Sequence, residues 1–278
     1  MIVGQKRILS RIDQMASVGF PRFTILIGPE GSGRKTISRY INKKLNADIS
    51  YIGISADEVR GIVDNSYFVK SPIVYVIADA DKMSVAAKNS LLKITEEPPN
   101  NAYFIMTITD REYTLRTLLS RANVLYMDPY TEEELREYVN MPNMFTTQDK
   151  MPISSEGWNT LYKISGNIGR LEEFRSSDFQ KLLDFCWKVA ENIHNVSGAN
   201  ALKIVNSLKL KDSDSTGFDV GMFLDVMTYL YNSEIEPKYE AALSVRATLR
   251  CKEDLRIKGI NKQATMDAWI FRIREIWR

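Results

Sequence analysis

The feature that most constrains this 278-residue chain is a short apolar run, Phe23 to Ile27, that breaks into the glycine-rich turn Gly28-Pro29-Glu30-Gly31-Ser32-Gly33 and resumes as a helical pattern from Thr36 to Leu45. The same alternation continues through the first half. Gln5 to Ala16 reads as a helix, Ser50 to Ile54 as a strand, Ala56 to Val63 as a helix and Ile73 to Ala78 as a second buried strand. Val85 to Thr95 reads as a helix stopped by Pro98 and Pro99, Ala102 to Ile108 as a strand, Tyr113 to Leu119 as a helix and Val124 to Met127 as a strand. Val- and Ile-rich strands separated by helices predict a parallel sheet covered on both faces. After Met127 the strand signal vanishes. Thr131 followed by Glu132, Glu133 and Glu134 reads as a helix start with an N-cap and an acidic first turn. Two short helices, Ser154 to Ile164 and Ile168 to Arg175, precede longer helical patterns that run to Trp277, with breaks near Asn195 to Gly198, Asp212 to Gly217 and Asn232 to Pro237. The expected organisation is α/β and then all-α: an α/β domain over 1–130, a small helical domain over 131–178 and a larger helical domain over 179–278.

Composition narrows the class. Hydrophobic residues make up 44% and charged residues 26%, the profile of a globular protein rather than a disordered one. The longest apolar run, Ile73 to Ala78, is strand length and far short of the roughly 20 residues of a membrane helix. Lys6, Arg7 and Arg11 interrupt the N-terminal apolar residues, so no secretory segment is expected. With two cysteines, Cys186 and Cys251, no disulfide framework is expected and a reducing cytoplasm fits, and a single His194 argues against a His-based metal site or triad. The net charge of +2 argues against coating nucleic acid by bulk charge. From Arg246 to Arg278 there are nine Lys or Arg against four Asp or Glu, which reads either as a solvated helix face or as a surface for phosphate or a partner.

The turn after the first strand approaches the phosphate-binding pattern G-x-x-x-x-G-K-[ST], in which backbone N–H groups wrap a phosphate, the Lys reaches the outer phosphates and the hydroxyl ligates Mg²⁺. Gly28 and Gly33 have the correct spacing, but Arg34 and Lys35 follow where Lys and a hydroxyl are expected. Shifting the frame to use Lys35-Thr36 puts Pro29 and Arg34 where glycines belong. An ordinary glycine-rich strand–helix turn is the plainer reading of the same residues. If the loop binds phosphate, its hydrolytic competence is in doubt: a guanidinium fork does not match a compact ammonium, and Lys35 replaces a metal-binding hydroxyl with a cation. The strand Val74 to Ala78 carries the companion defect. The position that would hold the Mg²⁺ carboxylate is Ala78, and Asp79 falls where a water-orienting acid is expected. Asp79 and Asp81 read alternatively as plain caps after a strand.

These residues, with others in the same order, resemble the clamp-loader subunits of the AAA+ superfamily, most closely the delta-prime type of bacterial DNA polymerase III. Ile2-Val3-Gly4-Gln5 resembles the N-terminal box beside the adenine. Ala56 to Arg60 is similar to a short family helix with a terminal Arg. The run Asn89-Ser90-Leu91-Leu92-Lys93 with Glu96-Glu97-Pro98-Pro99 is the most specific match. Phe104 to Thr109 is similar to the sensor 1 strand, Leu119-Ser120-Arg121-Ala122 resembles the Ser-Arg-Cys motif with Ala122 for Cys, and Gly166 to Arg170 is similar to the lid segment that carries a sensor 2 Arg. The matches span roughly residues 2 to 175 and reappear weakly around Asn261 to Trp277. The family's Cys-rich zinc module has no counterpart, so no zinc is expected, as in a compact, phage-encoded or otherwise divergent member.

The resemblance implies an AAA+ P-loop domain, a small helical lid and a C-terminal helical collar. It implies a stator role in which Arg121 acts as a trans arginine finger on a neighbour's ATP, while Arg121 pairing locally is the plainer alternative. The implied nucleotide contacts are Val3, Gly28, Gly31, Gly33, Arg34, Lys35, Thr36, Asp79, Thr109 and Arg170, the last of which could equally be solvated. The expected cofactor is ATP or ADP, with Mg²⁺ doubtful. The expected partners are other clamp-loader subunits, the sliding clamp and, through the assembly, primer-template DNA, in the cytoplasm and without a membrane. Two other readings stay open: a gamma-like ATP-hydrolysing motor of the same ring, and an AAA-like DNA-binding helicase-loader adaptor with salt-sensitive DNA affinity. Trp158, Trp187, Trp269 and Trp277 are expected to serve packing.

Overall fold

The computed structural model describes residues 2–141, 153–210, 217–236 and 238–278. The chain divides into two compact units, Met1–Pro142 with Gly166–Leu171, and Asn143–Ser165 with Glu172–Arg278.

In the first unit the elements follow as α1 (Lys6–Val18), β1 (Phe23–Ile27), α2 (Arg34–Leu45), β2 (Asp48–Ile52), α3 (Ala56–Ser66), β3 (Ile73–Ile77), α4 (Val85–Ser90), α5 (Leu92–Glu96), β4 (Ala102–Ile108), α6 (Arg116–Leu119), β5 (Asn123–Tyr126) and α7 (Glu132–Asn140). The five strands form one sheet in the order β2-β3-β4-β1-β5, and every pairing is parallel. Successive side chains of each strand serve opposite faces. Phe23, Ile25, Ile27, Tyr75, Ile77, Phe104 and Met106 pack on one side with Val59, Val63, Leu91 and Leu118. Leu26, Val74, Val76, Ile105 and Leu125 pack on the other with Ile8, Ile12, Ile37 and Ile41. Burial on both faces is why the strands read as continuous apolar runs. The carboxyl ends of β1, β3 and β4 lie side by side, because Ile27 pairs with Ile108 and Ile77 with Met106. In open parallel sheets that end of the strands is where ligands bind.

Several boundaries differ from expectation. The helix expected from Val85 to Thr95 is divided at the buried Leu91, whose N–H bonds to the Lys88 carbonyl at 3.2 Å, three residues back, and so tightens the turn. The expected helix from Tyr113 to Leu119 is instead a 3-10 turn, Arg111–Tyr113, followed by the short α6. β2 lies two residues earlier than read, since Asp48 already pairs with Ile73. The start of α7 matches expectation: the Thr131 hydroxyl accepts the Glu134 N–H at 3.2 Å while the Glu134 carboxylate accepts the Thr131 N–H at 3.0 Å.

The second unit is helical: α8 (Ser155–Ser165), the later part of α9 (Ile168–Ser176), α10 (Phe179–Asn192), α11 (Gly198–Asn206), α12 (Val220–Ser233), α13 (Lys238–Asp254) and α14 (Lys262–Ile276). One expectation is corrected here. A two-residue parallel bridge joins Leu208–Lys209 (β6) to Phe218–Asp219 (β7), although no strand was expected after Met127. Two residues are too few to carry an alternating signal. The expected break at Asn195 to Gly198 is present, with Ser197 capping α11 through the Asn200 N–H. The breaks read at Asp212 to Gly217 and Asn232 to Pro237 fall partly outside the described residues.

The tryptophans pack. Trp269 is buried edge-on against Phe223, with ring centroids 5.5 Å apart, and its indole N–H donates to the Thr248 hydroxyl at 3.1 Å. Trp277 stacks on Tyr231 and donates to the Ser244 hydroxyl at 2.8 Å. Trp158 and Trp187 lie partly buried on the same core. In the basic C-terminal stretch, Lys252 pairs with Asp225, Arg272 pairs with Glu275 at 3.5 Å, and Arg274 is buried. Both cysteines are free and buried. Burial pushes the Cys186 thiol up, and pushes Cys251 up to about 12. Both thiols are therefore expected to resist alkylation in the native protein at pH 8 and to react together on unfolding. Fast labelling of either under native conditions would contradict this packing. Among the described residues no helix is long and apolar enough to cross a membrane.

Candidate functional site: the phosphate-type loop

The glycine-rich turn connects the end of β1 to α2. The Gly28 N–H donates to the Ile108 carbonyl at 3.1 Å, which ties the loop to the end of β4. Gly31 and Gly33 have φ of +81° and +93°, values that favour glycine. Gly33 caps α2 with no side-chain hydrogen bond, and no acidic residue occupies the first turn. The positive end of α2 is therefore not offset by its own residues.

The loop is buttressed from a distant part of the chain. The Gly169 N–H donates to the Gly31 carbonyl at 3.0 Å, and the Asn167 amide donates to the Glu30 carbonyl at 3.2 Å. The Asn167 side-chain oxygen in turn accepts the Arg170 N–H at 3.0 Å. Gly31 and Gly169 approach so closely that a Cβ on Gly169 would stand 2.3 Å from the Gly31 Cα. On the other side, the Tyr130 hydroxyl donates to the Ser32 carbonyl at 3.3 Å, and burial raises the Tyr130 pKa. Gln5 clamps the backbone of Asp128, donating to its carbonyl at 2.6 Å and accepting its N–H at 2.9 Å.

The charges converge on Asp79. Arg34, only 6% exposed, places Nη2 at 3.4 Å from Asp79 Oδ1, and Lys35 places Nζ at 3.8 Å from Asp79 Oδ2. Asp79 follows Ala78 at the end of β3 with φ 52° and ψ 44°, a left-handed conformation that Asp tolerates. Its N–H donates to the buried Thr107 hydroxyl at 3.0 Å. Asp81 is turned to structural use and accepts the Thr109 N–H through both oxygens at 2.9 and 3.1 Å. Two buried polar atoms within the loop have no partner among the described residues: the hydroxyl of Ser32, a residue 2% exposed, and Nη1 of Arg34.

The structure thus brings Gly28, Gly31, Gly33, Arg34, Lys35 and Asp79 together, with the Arg170 backbone alongside and Thr109 following the β4 carbonyl that anchors Gly28. Thr36 is exposed in the first turn of α2, and Val3 is buried beside Gly4. Arg121 makes its contacts elsewhere: Nη1 donates to the Thr117 carbonyl at 3.1 Å and Nη2 lies 3.7 Å from Glu96 Oε1. With side chains 42% and 60% exposed, that pair is weak. Ser120 beside it lines a surface hollow of about 730 Å³ with Arg111, Thr114 and Arg116. Sequence reading missed Asn167 and Tyr130 as supports of the loop, and the Gln5 clamp on the Asp128 backbone. Asn167 lay within a motif already singled out, whereas Tyr130 carried no signal.

The donor set suits phosphate and not Mg²⁺. The cations Arg34 and Lys35 and the buried Ser32 hydroxyl, which has no partner among the described residues, belong to one loop at the start of α2. Mg²⁺ takes oxygen ligands, and the two positions that should supply them hold Lys35 and Ala78.

The sheet order and the loop after β1 give the chain a fold of the AAA+ P-loop type. A solved structure of a DNA polymerase III gamma subunit-related protein from Thermotoga maritima matches 97% of this chain and 99% of its own, with a TM-score of 0.54 and 18% identity. The Thermotoga maritima RuvB Holliday junction branch migration motor matches 91% of this chain and 78% of its own, with a TM-score of 0.50 and 16% identity. Residues 40–131 match the family model described as DNA polymerase III, delta subunit. The chain is 31% identical over 170 residues to DNA polymerase III subunit gamma of Buchnera aphidicola subsp. Schizaphis graminum, covering 50% of this chain and 47% of that protein. It is 22% identical to DNA polymerase III subunit tau of Bacillus subtilis, covering 82% of this chain and 49% of that protein. The chain spans about half the length of these curated relatives.

Proposed function

We propose that the chain is a non-hydrolysing, delta-prime-type subunit of a cytoplasmic sliding-clamp loader, holding nucleotide weakly or structurally and supplying Arg121 to a neighbour's ATP. The carrying observation is that both loop cations, Arg34 and Lys35, are engaged by Asp79 while the metal-carboxylate position is Ala78. A loop in that state lacks the hydroxyl and carboxylate that hold Mg²⁺, and Asp79, at the water-orienting position, is engaged by cations, whereas Arg121 stands at the surface with only a weak partner. In this reading residues 131–178 are the lid and 179–278 the collar that joins neighbouring subunits. The other subunits, the clamp and primer-template DNA are then reached through the assembly.

A motor role has one observation in its favour: the curated relatives named above are gamma and tau subunits. It needs Lys35-Thr36 to act in a shifted loop with Asp79 as metal ligand. Mg-ATP turnover by the purified chain separates the two. The stator reading expects no turnover above that of a Lys35→Ala control. Turnover that Lys35→Ala removes would establish the motor.

A further inference from the structure

We propose that the loop is a magnesium-independent site for a di- or triphosphate group, and that Asp79 is the internal counter-ion which the phosphate displaces. The proposal rests on the non-hydrolysing reading above and adds to it a ligand state and the residue that opposes binding.

Four observations carry it. The Asp79 carboxylate lies against both cations at 3.4 and 3.8 Å, so it occupies charges that a phosphate would otherwise neutralise. Asp79 is held in place from its backbone, by the N–H bond to Thr107 and a left-handed conformation, so its side chain can leave without moving β3. The Ser32 hydroxyl and Arg34 Nη1 are buried without partners, a cost that a phosphate oxygen entering the loop relieves. The uncapped positive end of α2 adds its partial charge at the same place.

Magnesium has nothing to add in this arrangement. In an active loop the cation bridges phosphate oxygens to a hydroxyl and a carboxylate. Here Lys35 carries a positive charge into the hydroxyl position, and Ala78 offers no oxygen. A phosphate that arrives with its metal brings two further positive charges next to Arg34 and Lys35. The bare phosphate brings only the negative charge that they need. Asp79 competes with it directly, since a carboxylate and a phosphate in one loop repel.

The test is equilibrium binding of ADP to the full chain, by calorimetry, in EDTA and in excess Mg²⁺. Binding is expected in EDTA, and Mg²⁺ is expected to leave it unchanged or to weaken it. Asp79→Asn keeps a residue that accepts the left-handed conformation and removes the charge, and it is expected to tighten ADP about tenfold in EDTA. Asp79→Gly, equally compatible with that backbone, should behave the same way, and thermal unfolding verifies that both variants fold. Lys35→Ala is expected to abolish the gain. The proposal is overturned if ADP binds only with Mg²⁺, if neither Asp79 variant binds more tightly, or if no form binds at all. Failure here without Mg-ATP turnover leaves the stator reading standing, because Arg121 acts on a neighbour's nucleotide. Mg²⁺-dependent binding accompanied by turnover removes both.

Discussion

Replacing Arg121 with Ala is expected to lower ATP turnover in the reconstituted assembly by about a thousandfold or more, the range associated with loss of an arginine finger. The isolated chain should be almost unaffected. Its Arg121 donates to the Thr117 carbonyl and faces Glu96 at 3.7 Å, and both side chains are substantially exposed. Surface pairs of that kind contribute about 1 kcal/mol or less. A large loss of turnover with an unchanged melting temperature is thus the signature of a residue that works in a neighbour's site. Arg121→Lys should recover only a small part, because an ammonium cannot reproduce the planar fork that grips two phosphate oxygens. Turnover that is unchanged in Arg121→Ala would leave this arginine as a local surface group and remove its assigned role.

The second large effect concerns the buttress. Gly169→Ala is expected to destabilise the first unit by about 1–3 kcal/mol, although alanine is the better helix former by about 1 kcal/mol at a helical position. The reason is contact alone. The new Cβ would lie 2.3 Å from the Gly31 Cα and 3.0 Å from its carbonyl oxygen, and backbone atoms cannot swing aside as the end of a side chain can. The relief available is for residues 166–171 to leave the loop, which also breaks the Gly169–Gly31 and Asn167–Glu30 hydrogen bonds. All four tryptophans lie in the second unit, so denaturant unfolding followed by far-UV circular dichroism measures the loss. Hydrogen exchange at the loop amides reports whether the segment has detached. A neutral or stabilising result would mean that the two glycines are not in van der Waals contact in solution.

Most of the architecture was legible because it is written at short range. The near-continuous apolar runs Phe23 to Ile27 and Ala102 to Ile108 mark strands buried on both faces, and the glycines mark where the chain must turn with positive φ. The Thr131 cap with Glu134 three residues on announced α7. Errors came where the deciding interaction was non-local or the element very small. Leu91 interrupts an otherwise sound helical pattern at a buried position, and β6 and β7 are too short to show a period. The strand at Asp48 begins where its neighbour Ile73 begins, not where its own composition suggests.

The candidate site divides in the same way. From the sequence alone came the loop, its misplaced cations at Arg34 and Lys35, the missing carboxylate at Ala78 and the Ser120-Arg121 pair, since each is a matter of residue type at a set spacing. The structure alone decided what those cations do. Asp79, 45 residues from Arg34, comes to rest against both of them because β3 ends beside the loop. Asn167, 137 residues from Glu30, closes the other side through a backbone contact that only glycines at 31 and 169 permit. Spacing along a chain specifies local geometry and chemical type. Which distant charge neutralises which, and which backbone can touch which, is settled by the packing of the sheet.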